Sequence, residues 1–359
     1  METGFSRVRF NNFRNIEPRE IRWFPGLNLL SGLNGAGKTN ILEGINIISG
    51  WGPLESGTRI KSLPSWGSGT GDVQLTGQLY GEYKEIIKVK ISGKCMLRID
   101  DKTIKASDLR WKIPVLSFLP CDMAIMEGSA SYRRRLLDML LAILVPSYAE
   151  RIHSYRRGVR QKAALLARGV SCDAVDRALL PLASWIWRMR EEAVSLLSDC
   201  LSAYSELLPS RTELFLLRGG AGFYEDTEDD YLKAADINRT KEMALKTPLV
   251  GPHRDDLLIE AGGKPAAAAL SRGLRRRAAI ALILATSDGI LRKLGKEPVL
   301  LLDEVTSELD RDGRKILFDN LSARKGQVFA ATAEPDISDF PGEVHIVVRG
   351  RVSCANEDR

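Results

Sequence analysis

Hydrophobic and polar positions alternate or cluster in short segments over the first third of the chain. These segments predict strands at 5–10, 26–30, 73–80, 86–91 and 115–118. Apolar residues recur at helical spacing between 40 and 49, which predicts a helix directly after a glycine-rich turn. The segment 50–72 is rich in Gly, Ser and Pro and predicts a loop.

The pattern becomes helical from about 131 to 209. Leucines at helical spacing predict a first helix that ends at Pro146. Ser147 and Glu150 then form a capping-box pattern that predicts a new helix start. The acidic segment 225–230 predicts a solvated loop. A helical insert is therefore expected between two strand-rich parts.

Strand patterns return in the C-terminal third, at 257–259, 299–302, 328–331 and 344–348, with a long helix over 273–294. Strands and helices in this order predict an α/β fold. We expect one head domain formed by 1–126 and 236–359, interrupted by a helical arm over 127–235.

Composition narrows the class of protein. The 359 residues are 44% hydrophobic and 27% charged, as expected of a globular protein with a core. A membrane span is not expected, because no stretch reaches 18 apolar residues, and the N-terminal segment lacks the apolar core of a signal peptide. Five widely spaced cysteines and three histidines argue against a disulfide framework or a zinc site. The cysteines are therefore expected to be reduced thiols in a cytoplasmic protein. A net charge of +6 is compatible with nucleic acid as a partner.

The glycine-rich turn carries the most specific motif, because 32–39 match G-x-x-x-x-G-K-[ST] in full between a strand and a helix. Glycines let successive backbone N–H groups point at phosphate, and the helix adds the positive end of its dipole. We expect Lys38 to reach the β- and γ-phosphates of ATP and the Thr39 hydroxyl to bind Mg²⁺. The predicted phosphate-binding residues are Gly32, Leu33, Asn34, Gly35, Ala36, Gly37, Lys38 and Thr39.

The apolar strand predicted at 299–302 ends in two acids, Asp303 and Glu304. The carboxyl ends of strands are where α/β sheets bind ligands. We expect Asp303 to hold Mg²⁺, directly or through water, and Glu304 to orient or deprotonate the attacking water. Lys38 and Glu304 are thus the predicted catalytic residues of an ATPase.

Two further segments, 269–273 and 306–310, lie where ABC-type ATPases carry their signature motif and their D-loop. In that class the signature Ser and Gly, here Ser271 and Gly273, donate to the γ-phosphate held by a second subunit. These positions predict a two-fold homodimer that encloses two nucleotides.

Five parts of the sequence resemble the RecF family of bacterial recombination-repair ATPases. They are 11–15 with 24–28, 34–40, 118–122 with 127–138, 251–257, and 302–304 with 307–310. The third and fourth, which include FLPCD and GPHRDDL, are quite specific to this family among ABC-type proteins. The resemblance implies an ABC-type P-loop ATPase head with an inserted short helical arm.

The resemblance also implies a function. It implies ATP-dependent dimerisation, slow ATP hydrolysis and DNA binding without sequence specificity at single-stranded gaps and duplex junctions. It further implies work with RecO and RecR to load the recombinase RecA in DNA replication, recombinational repair and the SOS response. Carried over by position, Arg14 and Asn15 would lie near the nucleotide.

Three residues depart from the family pattern. Leu274 replaces the glutamine of the signature motif, Cys121 lies where an acid is usual, and Lys246 lies where a glycine is usual. These changes leave nucleotide binding intact and bear on the efficiency of dimer-coupled hydrolysis.

Basic residues concentrate in the predicted arm. Over 127–173, nine Lys or Arg stand against four acids, an excess of +5 in a chain of net charge +6. Arg156, Arg160 and, less closely, Arg157 share a helix face that could form a row for backbone phosphates, and Lys162 follows them. A solvated helix face, or ion pairs inside the arm, would account for the same residues.

The residues leave three alternatives open. In the first, Leu274 leaves ATP bound and barely hydrolysed, so that the protein is a DNA-binding switch; measured turnover distinguishes it. The second is a transporter ATPase subunit, against which the basic insert and 251–257 argue. The third is a head of the SMC type, for whose long coiled coil the arm is too short.

Overall fold

The computed structural model describes residues 3–55, 58, 60–65, 71–81, 84–208, 211–304, 309–334 and 340–354. The strands, in chain order, are β1 Gly4–Asn11, β2 Glu20–Arg22, β3 Leu27–Ser31, β4 Val73–Tyr80, β5 Ile86–Ser92, β6 Lys94–Ile99, β7 Lys102–Thr103, β8 Val115–Phe118, β9 Thr212–Leu217, β10 Asp256–Ala261, β11 Lys264–Pro265, β12 Val299–Asp303, β13 Val328–Thr332, β14 Glu343–Val348 and β15 Arg351–Cys354. The helices are α1 Lys38–Ile48, α2 Ala106–Lys112, α3 Ala130–Leu144, α4 Tyr148–Ala167, α5 Asp173–Leu201, α6 Thr227–Leu245, α7 Ala266–Ala269, α8 Arg272–Leu294 and α9 Arg311–Ser322.

The chain divides into two compact units. Unit 1 comprises residues 1–123 and 287–359, and unit 2 comprises residues 124–286. The first boundary lies close to the expected start of the arm at 127. The second lies well beyond 235, because β9 pairs along its whole length with β10 and so draws the segment 236–286 into the same unit as the arm helices.

Unit 1 contains two six-stranded sheets. The first is antiparallel, in the order β2-β1-β4-β5-β6-β7, and the second has the order β15-β14-β3-β13-β12-β8. In the second sheet the strands from β14 to β8 are parallel, and β15 is an antiparallel edge. Helix α1 contacts strands of both sheets and buries Ile41, Leu42, Ile45 and Ile48 in their shared core.

The strand order of the second sheet positions the candidate chemistry. β13 lies between β3 and β12, so the carboxyl ends of β3 and β12 emerge at the same edge of the sheet. Every residue of β8, β12 and β13 is buried, as expected of parallel strands covered on both faces. This shared edge places the start of α1, which follows the glycine-rich turn 32–37, beside Asp303.

Unit 2 packs helices α3, α5 and α7 against the antiparallel sheet β11-β10-β9, with α4 and α6 packed on α5. The acidic segment 225–230 is not the solvated loop that its composition predicts. The Asp226 carboxylate caps α6 by accepting hydrogen bonds from the amides of Glu228 and Asp229, because a helix N-terminus favours acids. Asp230 lies inside the unit, fully buried.

Every strand and helix predicted from residue spacing is present, but the pattern did not predict β2, β6, β7, β9, β11, β15, α2, α6, α7 or α9. β6 exposes its first three residues, so its alternation is weak. Helix α4 begins at Tyr148 as the capping-box pattern predicts. However, Ser147 has helical backbone angles and its side chain forms no capping bond. No helix of the described ranges is long and apolar enough to cross a lipid bilayer.

Candidate nucleotide-binding site

Steric constraints explain why two positions of the predicted phosphate loop, Gly32 and Gly37, are glycine. A Cβ at Gly32 would lie 2.3 Å from the Val347 carbonyl oxygen. Gly37 has φ +114°, and a Cβ there would lie 2.9 Å from the Asn15 amide oxygen. Positive φ is readily adopted only by glycine. The loop therefore takes the tight curl that the motif predicts, and α1 begins at its last turn.

Lys38 lies within the loop and is 5% exposed. Its Nζ donates to the carbonyls of Gly32, at 2.8 Å, and Leu33, at 3.2 Å. It also lies 3.5 Å from Glu304 Oε1. The predicted phosphate-binding lysine and the predicted catalytic acid are thus neighbours across the sheet edge.

Thr39 and Asp303 are 264 positions apart in sequence, yet the Thr39 hydroxyl donates to Asp303 Oδ2 at 2.8 Å. Asp303 Oδ1 is buried and forms no hydrogen bond with the described residues. Burial, the largest cause, raises the pKa of the Asp303 carboxyl. A hydroxyl and a carboxylate oxygen that lacks a hydrogen bond fit Mg²⁺, which prefers oxygen ligands and commonly binds through one or two carboxylates.

Glu304, the residue directly after β12, has an unusual backbone conformation. Its φ is +51°, in the left-handed region, which costs on the order of 1–3 kcal/mol for a residue with a side chain. Its Oε2 accepts a hydrogen bond from the Ala333 amide at 3.2 Å. The turn directs the carboxylate towards Lys38, so the strain serves the placement of the side chain.

Arg14 and Asn15, both expected near the nucleotide, contact different parts of the site. The Asn15 side chain donates to the Gly35 carbonyl and accepts from Asn40, at 3.2 and 2.8 Å, so it braces the phosphate loop. Arg14 forms a two-bond ion pair with Glu43 of α1. Residue spacing did not identify Asn40 or Glu43 as part of this support; their positions on the first turns of α1 are the only signal.

The signature segment lies at the start of α8 in unit 2. The Leu274 amide donates to Ser271 Oγ at 3.4 Å, and Ser271 and Gly273 are exposed. An exposed helix N-terminus with a serine and a glycine is suited to bind an anion. The predicted D-loop residues 306–308 lie outside the described residues.

Two of the four arm residues expected to contact DNA, Arg156 and Lys162, form ion pairs within unit 2. Lys162 is 1% exposed and lies 2.8 and 2.7 Å from carboxylate oxygens of Asp176 and Glu242. Lys162 therefore forms ion pairs with two acids inside unit 2. The prediction that Lys162 contacts DNA is wrong, because the helix turns this position inward. Arg156 is largely exposed but pairs with Asp138 at 2.7 Å.

Arg157 and Arg160 remain as predicted contacts in the arm. Both are exposed and form no ion pair with another described residue. They lie on α4 next to the internal ion pairs, so the basic row is reduced from four residues to two.

The segment 251–257 forms the centre of unit 2. Asp255 is fully buried; its Oδ1 accepts from the Trp187 indole and the Gly219 amide, and its Oδ2 accepts from Arg190. Tyr155 and the Pro248 carbonyl hold the two ring nitrogens of His253. The side chains of this segment thus connect the parts of unit 2 through hydrogen bonds in its interior.

Comparison with known proteins agrees with this geometry. Residues 7–114 match the AAA domain family. The chain is 34% identical over 313 residues to the DNA replication and repair protein RecF of Deinococcus deserti, which covers 86% of this chain and 84% of that protein. It is 30% identical to RecF of Heliobacterium modesticaldum, over 98% of this chain and 99% of that protein.

Solved structures show the same fold. The recombination mediator protein RecF with ATP, from the RecFOR pathway, superposes with a TM-score of 0.85 at 22% identity over 98% of each chain. An SMC head bound to the C-terminal winged-helix domain of ScpA superposes with a TM-score of 0.57 at 16% identity, over 98% of this chain and 96% of that one.

The curled loop, the two acids at the adjacent strand end and the parallel sheet define a P-loop ATPase head of the ABC type. Among such heads, the near-full-length relatives decide the family. The chain belongs to the RecF family of DNA replication and repair proteins. The transporter and SMC alternatives are not favoured.

Proposed function

We propose that this chain is a cytoplasmic, weak ATPase that dimerises on ATP and binds DNA at single-stranded gaps and duplex junctions. The observation that supports this most is the convergence of Lys38, Thr39, Asp303 and Glu304 at one sheet edge. Family membership supports a role in recombinational repair, DNA replication and the SOS response.

The chemistry follows from these residues. The amides of the loop 32–39 and the Lys38 ammonium bind the phosphates of ATP, and Thr39 and Asp303 hold Mg²⁺. When bound, Mg²⁺ neutralises part of the charge on the phosphates. Glu304 orients the attacking water and accepts its proton. Asn15 and Asn40 hold the loop in the curl that this geometry requires.

Dimerisation completes the site in this proposal. Ser271 and Gly273, at the exposed start of α8, donate to the γ-phosphate bound by a second copy. Sedimentation with ATP tests this. We expect a dimer for wild type, a longer-lived dimer for Glu304→Gln and a monomer for Ser271→Arg. A monomer for all three with ATP bound would overturn the sandwich.

A hydrolysis-impaired switch is the second proposal, supported by Leu274 in place of the family's glutamine. Leu274 is half-buried at the first turn of α8. Turnover per ATP-bound dimer, with and without duplex DNA, separates the two proposals. A rise in turnover for Leu274→Gln at unchanged dimer affinity supports the switch. Equal turnover of the two proteins supports a working ATPase.

For DNA, the solvent-facing side of the antiparallel sheet offers a larger basic surface than the arm. Its basic side chains, here called the sheet face, are Arg7, Arg9, Arg22, Lys88, Lys90, Lys94 and Arg98. Three of these pair with acids, namely Arg7, Lys88 and Lys90. Arg9, Arg22 and Lys94 form no ion pair with any residue that the structure describes.

Strand register strengthens the case for an anionic partner. Arg7 lies directly opposite Arg22, and Lys88 lies directly opposite Arg98. Like charges directly opposite each other destabilise a sheet. Here Glu20 and Asp101 pair with Arg7 and Lys88, which leaves Arg22 and Arg98 as the cations available to a partner. Backbone phosphates would pair with these cations without sequence specificity.

Charge reversal tests the surface. We expect the triple variant Arg9→Glu, Arg22→Glu, Lys94→Glu to weaken binding of a gapped duplex by at least about tenfold and to reduce its salt dependence. Arg157→Glu with Arg160→Glu, on the arm, is the matched comparison. If only the arm variant loses DNA while ATP-driven dimerisation is intact in both, α4 is the DNA contact instead.

RecR and RecO are the partners that the family suggests. Co-sedimentation of each with the ATP-bound dimer on gapped DNA tests this. Binding of neither protein, under conditions in which the dimer holds DNA, would overturn the partnership.

A further inference from the structure

Three side chains with metal-binding atoms meet at the sheet edge formed by β14 and β15. They are Glu343, His345 and Cys354, and their ligand atoms all lie within 4.8 Å of one another. His345 and Cys354 are directly opposite across the two strands, and Glu343 lies two residues before His345 on the same face. Sheet pairing thus assembles a set that sequence spacing does not show.

The imidazole of His345 is oriented by a fully buried amide. The Asn28 Nδ2 group donates to the carbonyls of Phe24, Gly26 and Val328 at 2.8, 3.1 and 3.4 Å. Its Oδ1 is therefore an acceptor and lies 3.2 Å from His345 Nε2. This places the proton on Nε2 and the lone pair of the neutral ring on Nδ1. A histidine that binds a metal commonly donates its second nitrogen to an oxygen in this manner.

The remaining surroundings also suit a metal. His345 is 2% exposed and packs edge-on against Trp23, with ring centroids 4.7 Å apart, so the ring has little freedom to turn away. Cys354 and Glu343 are half-buried, and the thiol lies 2.9 Å from Glu343 Oε1. Bonds of the usual zinc lengths place ligands about 3.3–3.8 Å apart in a tetrahedron, a small adjustment for two partly exposed side chains.

We propose that Cys354, His345 and Glu343 bind one divalent transition metal ion of the Zn²⁺ class, with water as the fourth ligand. Thiolate, imidazole and carboxylate together are ligands that zinc accepts. Binding converts the Cys354 thiol to a thiolate and releases one proton to solvent, and the thiolate and carboxylate then balance the double positive charge. The ion joins the end of the edge strand β15 to β14.

Zinc titration of the full-length protein without nucleotide tests this, with a chromogenic chelator as competitor and Co²⁺ as the spectroscopic probe. We expect one ion per chain and a thiolate-to-cobalt charge-transfer band. Cys354→Ser and Glu343→Gln should each weaken zinc binding more than about tenfold, since even changes beyond the ligands cost roughly 10–100-fold. Cys121→Ser, which removes an exposed thiol elsewhere, should change neither the zinc affinity nor the charge-transfer band.

A thermal measurement gives a second readout that does not involve ATP. Zinc should raise the Tm of wild type and of Cys121→Ser, but not of Cys354→Ser, because an ion that binds only the folded state stabilises it. Equal zinc uptake by wild type and Cys354→Ser would overturn the site. So would the absence of stoichiometric binding by a wild-type protein that is folded by circular dichroism.

Discussion

Two buried carboxylates, Asp303 in unit 1 and Asp255 in unit 2, illustrate the difference between a site and a core. Asp303 Oδ1 forms no hydrogen bond with the described residues, whereas both oxygens of Asp255 accept bonds from Trp187, Gly219 and Arg190. An incompletely satisfied buried group is costly and calls for an explanation such as an ion. A fully satisfied one indicates structure.

The same contrast separates the two buried lysines. Lys38 lies among loop carbonyls beside Glu304, at the edge where the motif predicts phosphate. Lys162 is enclosed by two carboxylates. A change at Glu304, beside Lys38, should therefore alter chemistry, and a change at Lys162, inside unit 2, should alter stability.

The largest effect is expected at Glu304. Glu304→Gln should lower ATP turnover by about 10²–10⁴-fold, the usual contribution of a general base, with little change in the free energy of unfolding. Turnover and urea unfolding of the same preparation check this, with the exposed Glu17→Gln as control. A fall of less than tenfold would assign the proton transfer to another group.

The next largest effect is expected at Lys162, the arm residue that lies in the interior of unit 2. Lys162→Met should lower the free energy of unfolding by about 3–5 kcal/mol, because Asp176 and Glu242 lose their buried partner. Arg160→Met, on the exposed side of the same helix, should change it by less than about 0.5 kcal/mol. Chemical denaturation measures both. Similar stabilities of the two variants would contradict the internal role of Lys162.

A third effect concerns pH. Burial, the largest cause, lowers the pKa of His253 to about 4 from 6.5. Between pH 6.5 and about 4, the His253 side chain binds a proton in the unfolded chain but not in the folded chain. The stability that neutral His253 contributes is therefore fully present above pH 6.5 and is lost as pH falls towards 4. The loss amounts to about 3 kcal/mol.

Unfolding measured at pH 7 and near pH 4 checks this prediction. His253→Gln should show a shallower pH dependence than wild type, and the exposed His153→Gln should match wild type. Identical pH dependence of the His253 variant and wild type would show that carboxylates alone cause the acid sensitivity.

The smallest effect concerns the C-terminal end of α6. Lys246 has φ +53°, a left-handed conformation in which glycine is usual. Lys246→Gly should therefore raise the unfolding free energy by about 1 kcal/mol. Lys241→Gly, inside the same helix, should lower it by about the same amount. Two changes of the same sign would refute the role of the backbone angle.

The sequence by itself determined the nucleotide loop, the acids Asp303 and Glu304, and the alternating strands of unit 1. These depend on neighbours along the chain, on the positive φ that glycine permits and on the period of buried positions. The family resemblance rested on the same local segments, and the relatives confirm it.

Only the tertiary structure decided which charges are internal and which distant residues meet. Helical spacing placed Lys162 in a basic row, but the partners Asp176 and Glu242 come from α5 and α6. Strand pairing likewise joins His345 to Cys354. Whether a charge faces solvent, a carboxylate or a ligand depends on elements remote in sequence, because burial and pairing are properties of the packed chain.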